Sequence, residues 1–411
     1  MSRRTFVIVG AGLAGAKAAE TLRVEGFDGR VVLVGGERER PYERPALSKG
    51  YLRGQAEPAS VYVHGEGFYA EHDVELLLGR AATGLDAAAR EVELDGGERI
   101  RYDRLLLATG AEPRRLELPG AGLAGLHYLR TIADADALRS ALRRASRLAV
   151  VGAGWIGCEV AASARQLGLE VTIVEPSAVP LGRVLGPEVG AVYRRLHEDN
   201  GVRVLTESGV EAFEGGESVE RVRLAGGEAI DCDAVAVGVG VRPRTELAAR
   251  AGLAVDNGVL VDSLLRTSDP AVFAAGDVAN AEHPHLGGRI RVEHWANALN
   301  QGPAAARSML DAGATYDRLP YFYSDQYDLG MEYSGYALRW DGVVFRGDPE
   351  AREFIAFWLD GGRVVAAMNA NVWDVTEPLQ ALIRSGARVD PRRLSDPGVP
   401  LDGLAESPAA A

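Results

Sequence analysis

Short, uninterrupted apolar runs alternate along most of the chain with glycine-rich turns and with segments whose apolar residues recur at helical spacing. Two stretches repeat the same order of strand, glycine turn and helix: Thr5 to Glu25, and Leu148 to Leu169. Each is followed by a second β-branched run, Val31 to Val34 and Val171 to Val174, so the unit predicted twice is βαβ. Runs without polar alternation fit strands buried on both faces. The predicted fold class is therefore α/β, with two Rossmann-like, doubly wound nucleotide-binding domains built on parallel sheets.

The remaining runs suggest how these two units share the chain. Leu105 to Ala108 reads as a further strand, stopped by Thr109 and Gly110, and Pro113 to Gly125 as a crossing linker. Val235 to Val241 ends at Arg242 and Pro243, and Val272 to Ala275 leads into Gly276 and Asp277. If these later strands complete the first domain, the second is inserted within it. The division expected is a first domain of 1–112 and 236–318, with a second of 113–235 inside it. From about Leu319 the pattern shifts to short alternating segments, Val343 to Phe345, Glu353 to Leu359 and Val364 to Met368, with a helix near Glu377 to Ser385. These predict a C-terminal α+β domain with an antiparallel sheet, 319–395. The Pro-, Gly- and Ala-rich residues 396–411 are expected to form a flexible tail.

The turns carry the first chemistry. Gly10, Gly12 and Gly15 in G-A-G-L-A-G follow one strand and precede one helix, and Gly152, Gly154 and Gly157 in G-A-G-W-I-G repeat the arrangement. The first glycine permits the tight turn and the second admits a pyrophosphate. The third lets helix and strand pack closely, and the helix N-terminus holds the anion. One such motif in a chain with 50 glycines means little, whereas two in the same context point to two dinucleotides. An acid should end each following strand to accept from ribose hydroxyls. Glu37 and Glu175 stand at those places. A carboxylate at Glu175 would repel the 2′-phosphate of NADP, which favours NADH, with Arg183 close enough in sequence to soften that repulsion.

Composition narrows the classes. Hydrophobic content of 47% and charge of 25% over 411 residues describe an ordinary globular protein. A net charge of −13 argues against a sequence-independent grip on nucleic acid or an anionic membrane. There is no apolar run of membrane-spanning length, and Met1 to Phe6 lacks the apolar stretch of a signal peptide, so a cytoplasmic protein is expected. Cys158 and Cys232 have neither C-x-x-C nor metal-ligand spacing, and no metal is expected. With two lysines against 43 arginines, Lys49 does not follow from compositional habit.

Further motifs resemble the FAD-dependent pyridine nucleotide reductases, in particular the ferredoxin, rubredoxin and putidaredoxin reductases that serve oxygenases. They are P-Y-E-R-P-A-L-S-K at Pro41 to Lys49, L-L-L-A-T-G at Leu105 to Gly110, W-I-G-C-E at Trp155 to Glu159, V-F-A-A-G-D at Val272 to Asp277, E-H-W-A-N-A at Glu293 to Ala298 and P-Y-F-Y-S-D-Q at Pro320 to Gln326. The resemblance implies tightly bound FAD on the first domain and NADH on the second. It implies FAD contacts at Ala14, Arg44, Ala82, Thr109, Gly110, Arg130 and Gly276, with Asp277 on the ribityl chain. The helix opening at Trp295 would face the flavin pyrimidine edge. Lys49 would lie beside the isoalloxazine, paired with Glu159, as the catalytic pair, and Ile156 and Gly238 would join the NADH site.

Related disulfide reductases carry a C-x-x-x-x-C pair after the first βαβ segment, where this chain has Glu43, Arg44, Pro45 and Ala46. With no thiol there, electrons must leave to an external acceptor. The resemblance implies a [2Fe–2S] ferredoxin or a rubredoxin feeding a cytochrome P450 or a Rieske oxygenase. The enzyme expected is an FAD-dependent NAD(P)H:ferredoxin oxidoreductase, monomeric or homodimeric. Docking would use Tyr321 and Tyr323, which replace the family's usual tryptophans, and local arginines such as Arg289, Arg291, Arg307 and Arg339. Two other readings stay open: an NADH oxidase or diaphorase, and a redox-sensing flavoprotein resembling apoptosis-inducing factor.

Overall fold

The computed structural model describes residues 3–405. The chain forms two compact units, each assembled from separated stretches. One comprises the residues up to Glu43 with Ala59–Glu112 and Val241–Pro320. The other comprises Arg44–Pro58, Pro113–Gly240 and the chain from Tyr321 onward.

In the first unit, five parallel strands lie in the order Val272–Ala274, Arg104–Leu107, Thr5–Val9, Arg30–Gly35 and Val74–Leu78. Phe6, Val7 and Ile8 are consecutive and all fully buried, so this sheet is covered on both faces as the unbroken apolar runs require. The helices Leu13–Val24 and Trp295–Met309 pack on it and against each other. Their approach is so close that a Cβ on Gly302 would stand 2.3 Å from the Ala14 carbonyl oxygen. The helix that opens at Trp295 ends at Met309. Ala82–Asp86, Glu91–Leu94 and Arg99–Arg101 form a separate antiparallel sheet.

The second unit repeats the parallel sheet with strands in the order Arg203–Leu205, Glu170–Val174, Arg147–Val151, Ala234–Val237 and Leu126–Tyr128. The boundary drawn from sequence at 235 falls inside the strand Ala234–Val237, which pairs with Arg147–Val151. The C-terminal sheet is antiparallel, ordered Tyr321–Gln326, Leu329–Gly335, Arg363–Ala370, Glu353–Asp360 and Gly342–Asp348. Its Phe322, Tyr333 and Trp358 share one hydrophobic core with Leu138, Val150 and Tyr193, which is why this sheet belongs to the second unit. Leu52 enters the same core, Tyr51 Oη donates to Asp136 at 3.0 Å and Ser163 Oγ donates to the Ser48 carbonyl at 2.6 Å. These contacts bring Arg44–Pro58 into the second unit, although the residues on either side of it belong to the first.

Of the segment expected as a flexible tail, the part from Asp396 is tied down. The buried Arg346 guanidinium donates to the carbonyls of Leu394, Asp396 and Val399 at 2.8, 2.7 and 3.0 Å, and Leu404 is buried. Residues 406–411 lie outside the described residues.

Candidate active site

The glycine turn of the first unit is shaped by backbone contacts. Gly10 adopts φ +119°, and a Cβ there would stand 2.0 Å from the Ala108 carbonyl oxygen. A Cβ on Gly15 would stand 2.0 Å from the Gly10 oxygen. Gly12 differs: it has ordinary extended φ of −88°, it N-caps the helix Leu13–Val24, and its added Cβ would meet no atom within 4 Å. Serine, threonine or aspartate would cap this helix better, so protein packing does not account for glycine there. The open space lies at a helix N-terminus, where an anion is stabilised. Gly276 and Asp277 come to this turn from far along the chain. A Cβ on Gly276 would be 3.2 Å from the Ala14 Cβ, and the Gly276 N–H donates to buried Gln301 at 2.9 Å. Glu37 accepts from Tyr42 Oη at 2.5 Å, and Thr109 Oγ1 donates to the Arg244 carbonyl at 2.8 Å. Trp295 opens its helix behind His294, a half-buried residue whose pKa is pushed down to about 4 by desolvation, against an upward pull from Asp277. Ala82 begins its antiparallel strand.

The second unit builds the same turn. Gly152 has φ +94°, with an added Cβ 2.5 Å from the Gly238 oxygen, and a Cβ on Gly157 would be 2.0 Å from the Gly152 oxygen. A Cβ on Gly154 would meet only the Gly238 oxygen, at 3.9 Å. Ile156, partly exposed, lines a small depression with His127, Leu129 and Gly238. Glu175 accepts from the Ala153 N–H at 2.7 Å and the Ser177 N–H at 2.8 Å, which ties this acid to the glycine turn itself. Arg183 is exposed on the first turn of the helix Gly182–Asp199.

Lys49 and Glu159 meet inside the second unit, 2.8 Å apart, with side chains 14% and 5% exposed. Lys49 follows the 3₁₀ turn Pro45–Ser48, and its Nζ also donates to the Pro45 carbonyl at 3.1 Å. Glu159 sits in the helix Trp155–Gln166, and both its oxygens are engaged: Oε2 accepts from Ser48 Oγ at 2.5 Å, and Oε1 from Ser324 Oγ at 2.7 Å. A buried carboxylate with this many donors is satisfied, and removing one partner of such a pair typically costs about 3–5 kcal/mol. Ser48 and Ser324 lie within motifs that the resemblance rests on, yet nothing local in the sequence marks either as a partner of Glu159. Tyr323 places its ring 6.0 Å from Lys49 Nζ. Arg44 caps the same 3₁₀ turn and donates to the Arg130 carbonyl. Among the arginines considered for docking, Arg291 is nearly buried against Glu293 and the Asp277 carbonyl, so it offers no surface charge. Arg289, Arg307 and Arg339 are ion-paired with Glu282, Glu25 and Asp360.

Residues 4–302 match the pyridine nucleotide-disulphide oxidoreductase family and residues 321–405 match a reductase C-terminal family. The chain belongs to the pyridine nucleotide-disulphide oxidoreductase family. It is 43% identical, over 98% of its length and 99% of the relative's, to the ferredoxin–NAD(+) reductase component of an anthranilate 1,2-dioxygenase system from Burkholderia cepacia. It is 37% identical to putidaredoxin reductase of Pseudomonas putida, over 96% of this chain and 95% of the relative. The crystal structure of a covalent putidaredoxin reductase–putidaredoxin complex superposes with a TM-score of 0.95 at 36% identity, covering 99% of both chains.

In this oxidoreductase the cysteines do not suit disulphide chemistry. Cys158 and Cys232 are both buried free thiols, and burial pushes the Cys158 thiol far up and Cys232 to about 12. Neither forms a thiolate at neutral pH.

Proposed function

We propose that the chain is an NADH-dependent ferredoxin reductase of an oxygenase system, holding FAD on its first unit and binding NADH on its second. The observation that carries this reading is the pair Gly12 and Gly154. Each glycine leaves open space at a helix N-terminus that no protein contact requires, and two such cradles in one chain fit two pyrophosphates. Full-length similarity to reductase components of oxygenase systems supports the acceptor, an iron–sulfur carrier of ferredoxin type. FAD, when bound, accepts an electron pair from NADH and releases it one electron at a time, which joins a two-electron donor to a one-electron carrier.

The chain's own residues supply placement and charge. In this reading Gly10, Gly12, Ala14 and Gly15 shape the FAD pyrophosphate turn, Glu37 accepts from its ribose, and Gly276 with Asp277 holds the ribityl chain. Ala82, Thr109, Gly110 and Trp295 complete that site, and the resemblance adds Arg44 and Arg130 to the FAD contacts. Gly152, Gly154, Ile156, Gly157 and Gly238 frame NADH. Glu175, fixed by two backbone N–H groups, presents a negative charge that disfavours the 2′-phosphate of NADPH, and exposed Arg183 moderates it. The Lys49 ammonium, aimed by Glu159, favours the reduced, anionic flavin. A cytoplasmic location belongs to the same reading. Among the described residues no helix is long and apolar enough to cross a membrane.

NADH oxidation by the purified yellow protein, coupled to cytochrome c, tests the proposal directly. The expected rate rises severalfold on adding a [2Fe–2S] ferredoxin from the same cell. A rate indifferent to every ferredoxin but fast with oxygen would replace this reading with that of an NADH oxidase.

A further inference from the structure

In the second unit a chain of polar side chains runs from Glu159 through the buried Ser324, Gln326 and His197 to Tyr327. Ser324 Oγ is 2.7 Å from Glu159 Oε1, Gln326 Nε2 is 3.3 Å from Ser324 Oγ, and Gln326 Oε1 is 3.1 Å from His197 Nε2. His197 Nδ1 lies 3.4 Å from the Tyr327 hydroxyl. Ser324 and Gln326 are each 1% exposed and His197 is fully buried. Burying these polar groups is costly unless every donor meets an acceptor, so the order of donors is constrained along the whole chain.

That order can be worked out from one end. Glu159 forms an ion pair with Lys49, and a carboxylate in such a pair accepts hydrogen bonds without donating. Ser324 must therefore direct its single proton to Glu159, which leaves its oxygen to accept from Gln326. The Gln326 amide nitrogen supplies that bond, so its carbonyl oxygen must accept from His197. His197 then carries its proton on Nε2, and Nδ1 is left to accept from Tyr327. Turning Gln326 over would aim its oxygen at Ser324 and draw the hydroxyl proton off Glu159, setting two acceptor oxygens against each other at 2.7 Å. Desolvation lowers the His197 pKa to about 4, consistent with a neutral ring bearing one proton.

We propose that Ser324 and Gln326, locked by the Nε2–H tautomer of His197, are positioning residues that orient the Glu159 carboxylate and, through it, the Lys49 ammonium. The proposal rests on the flavoprotein reading above and on the place of Lys49 in it. With Ser324 holding one oxygen and Ser48 the other, the carboxylate cannot rotate to take the ammonium wholly to itself. Loss of the Ser324 donor frees Oε1 to close on Lys49. The ammonium is then withdrawn from the charge it is there to stabilise.

Four measurements on the holoprotein test this. The midpoint potential of the bound flavin should fall in Ser324→Ala by about 30 mV, the two-electron equivalent of a tenfold loss in stabilisation of the reduced form. Ser324→Thr, which keeps the hydroxyl, should restore it. Gln326→Met, which keeps volume but removes the donor to Ser324, should shift the potential in the same direction by less. Long-range ¹⁵N–¹H correlation spectra should show His197 as the Nε2–H tautomer in the parent protein. Parent potentials in both Ser324→Ala and Gln326→Met, or an Nδ1–H tautomer, would overturn the positioning role while leaving a yellow, NADH-reducible protein. A protein that binds no flavin would overturn the broader reading instead, and the tautomer would still report on the buried chain.

Discussion

At the turn opening with Gly10, the following strand leads to Glu37, whose carboxylate accepts from the Tyr42 side chain. At the turn opening with Gly152, the corresponding strand leads to Glu175, whose oxygens take backbone N–H groups, one of them from Ala153 inside the turn. The glycine geometry is otherwise shared. Gly10 packs on the Ala108 oxygen as Gly152 packs on the Gly238 oxygen, and Gly15 and Gly157 each press on the first glycine of their own turn. In the second unit the acid and the turn therefore form one hydrogen-bonded object, whereas in the first the acid is held from a neighbouring side chain. A change at Glu175 should disturb turn and ligand together, and a change at Glu37 the ligand and the Tyr42 contact.

The largest effects should come from the shared part. Gly10→Ala and Gly152→Ala force a side chain onto a backbone oxygen at positive φ, so each should cost about 3 kcal/mol or more. Gly10 should suffer more, its clash distance being 2.0 Å against 2.5 Å. Soluble yield and thermal midpoints measure this, and a stable Gly10→Ala protein would break the equivalence of the turns.

Gly12→Ala and Gly154→Ala should separate the two ligands without that cost, because neither added Cβ meets the protein closely. Gly12→Ala should purify with little flavin, and Gly154→Ala should stay yellow with a KM for NADH raised roughly tenfold, about 1.4 kcal/mol. Flavin content and KM decide between them. Equal loss of flavin in both would contradict the assignment of one dinucleotide to each turn.

Each unit also holds one histidine whose pKa desolvation lowers to about 4, the half-buried His294 in the first and the buried His197 in the second. Between pH 6.5 and about 4 the unfolded chain binds protons that the folded chain refuses. Stability contributed by the neutral rings is thus present above pH 6.5 and is lost as pH falls, by at most about 1.4 kcal/mol per pH unit for each. Thermal midpoints across this range should fall, and His197→Asn should flatten the decline; an unchanged slope in that variant would discount the second unit's share.

The smallest difference expected is at the acids. Glu175→Gln should lower the NADH to NADPH preference in kcat/KM by about tenfold, about 1.4 kcal/mol, and also lower the thermal midpoint slightly. Glu37→Gln should leave that ratio unchanged. An equal response at both would remove the distinction between the two acids.

Much of this was legible in the residue order because it is local. A glycine turn between a strand and a helix is written in adjacent residues, and both parallel sheets follow from apolar runs that never alternate. Gly276 and Asp277 could be singled out by motif, but the approach of Gly276 to Ala14 required the sheet order that sets Val272–Ala274 beside Arg104–Leu107. Arg291 looked like a surface charge in sequence and is nearly buried, since nothing along a chain records what later covers a side chain.

By itself, then, the sequence determined two glycine turns between strand and helix, the acids that follow them, the missing redox thiols beside Arg44, and an antiparallel C-terminal sheet. Only tertiary structure decided that Arg44–Pro58 leaves the unit of its neighbours, carried by Leu52 into the second core. It also decided that Ser48, Ser324, Gln326 and His197 converge on Glu159. The physical reason is range. Propensity and periodicity act over a few residues, whereas burial of a charged pair draws its donors from wherever the packed core brings them.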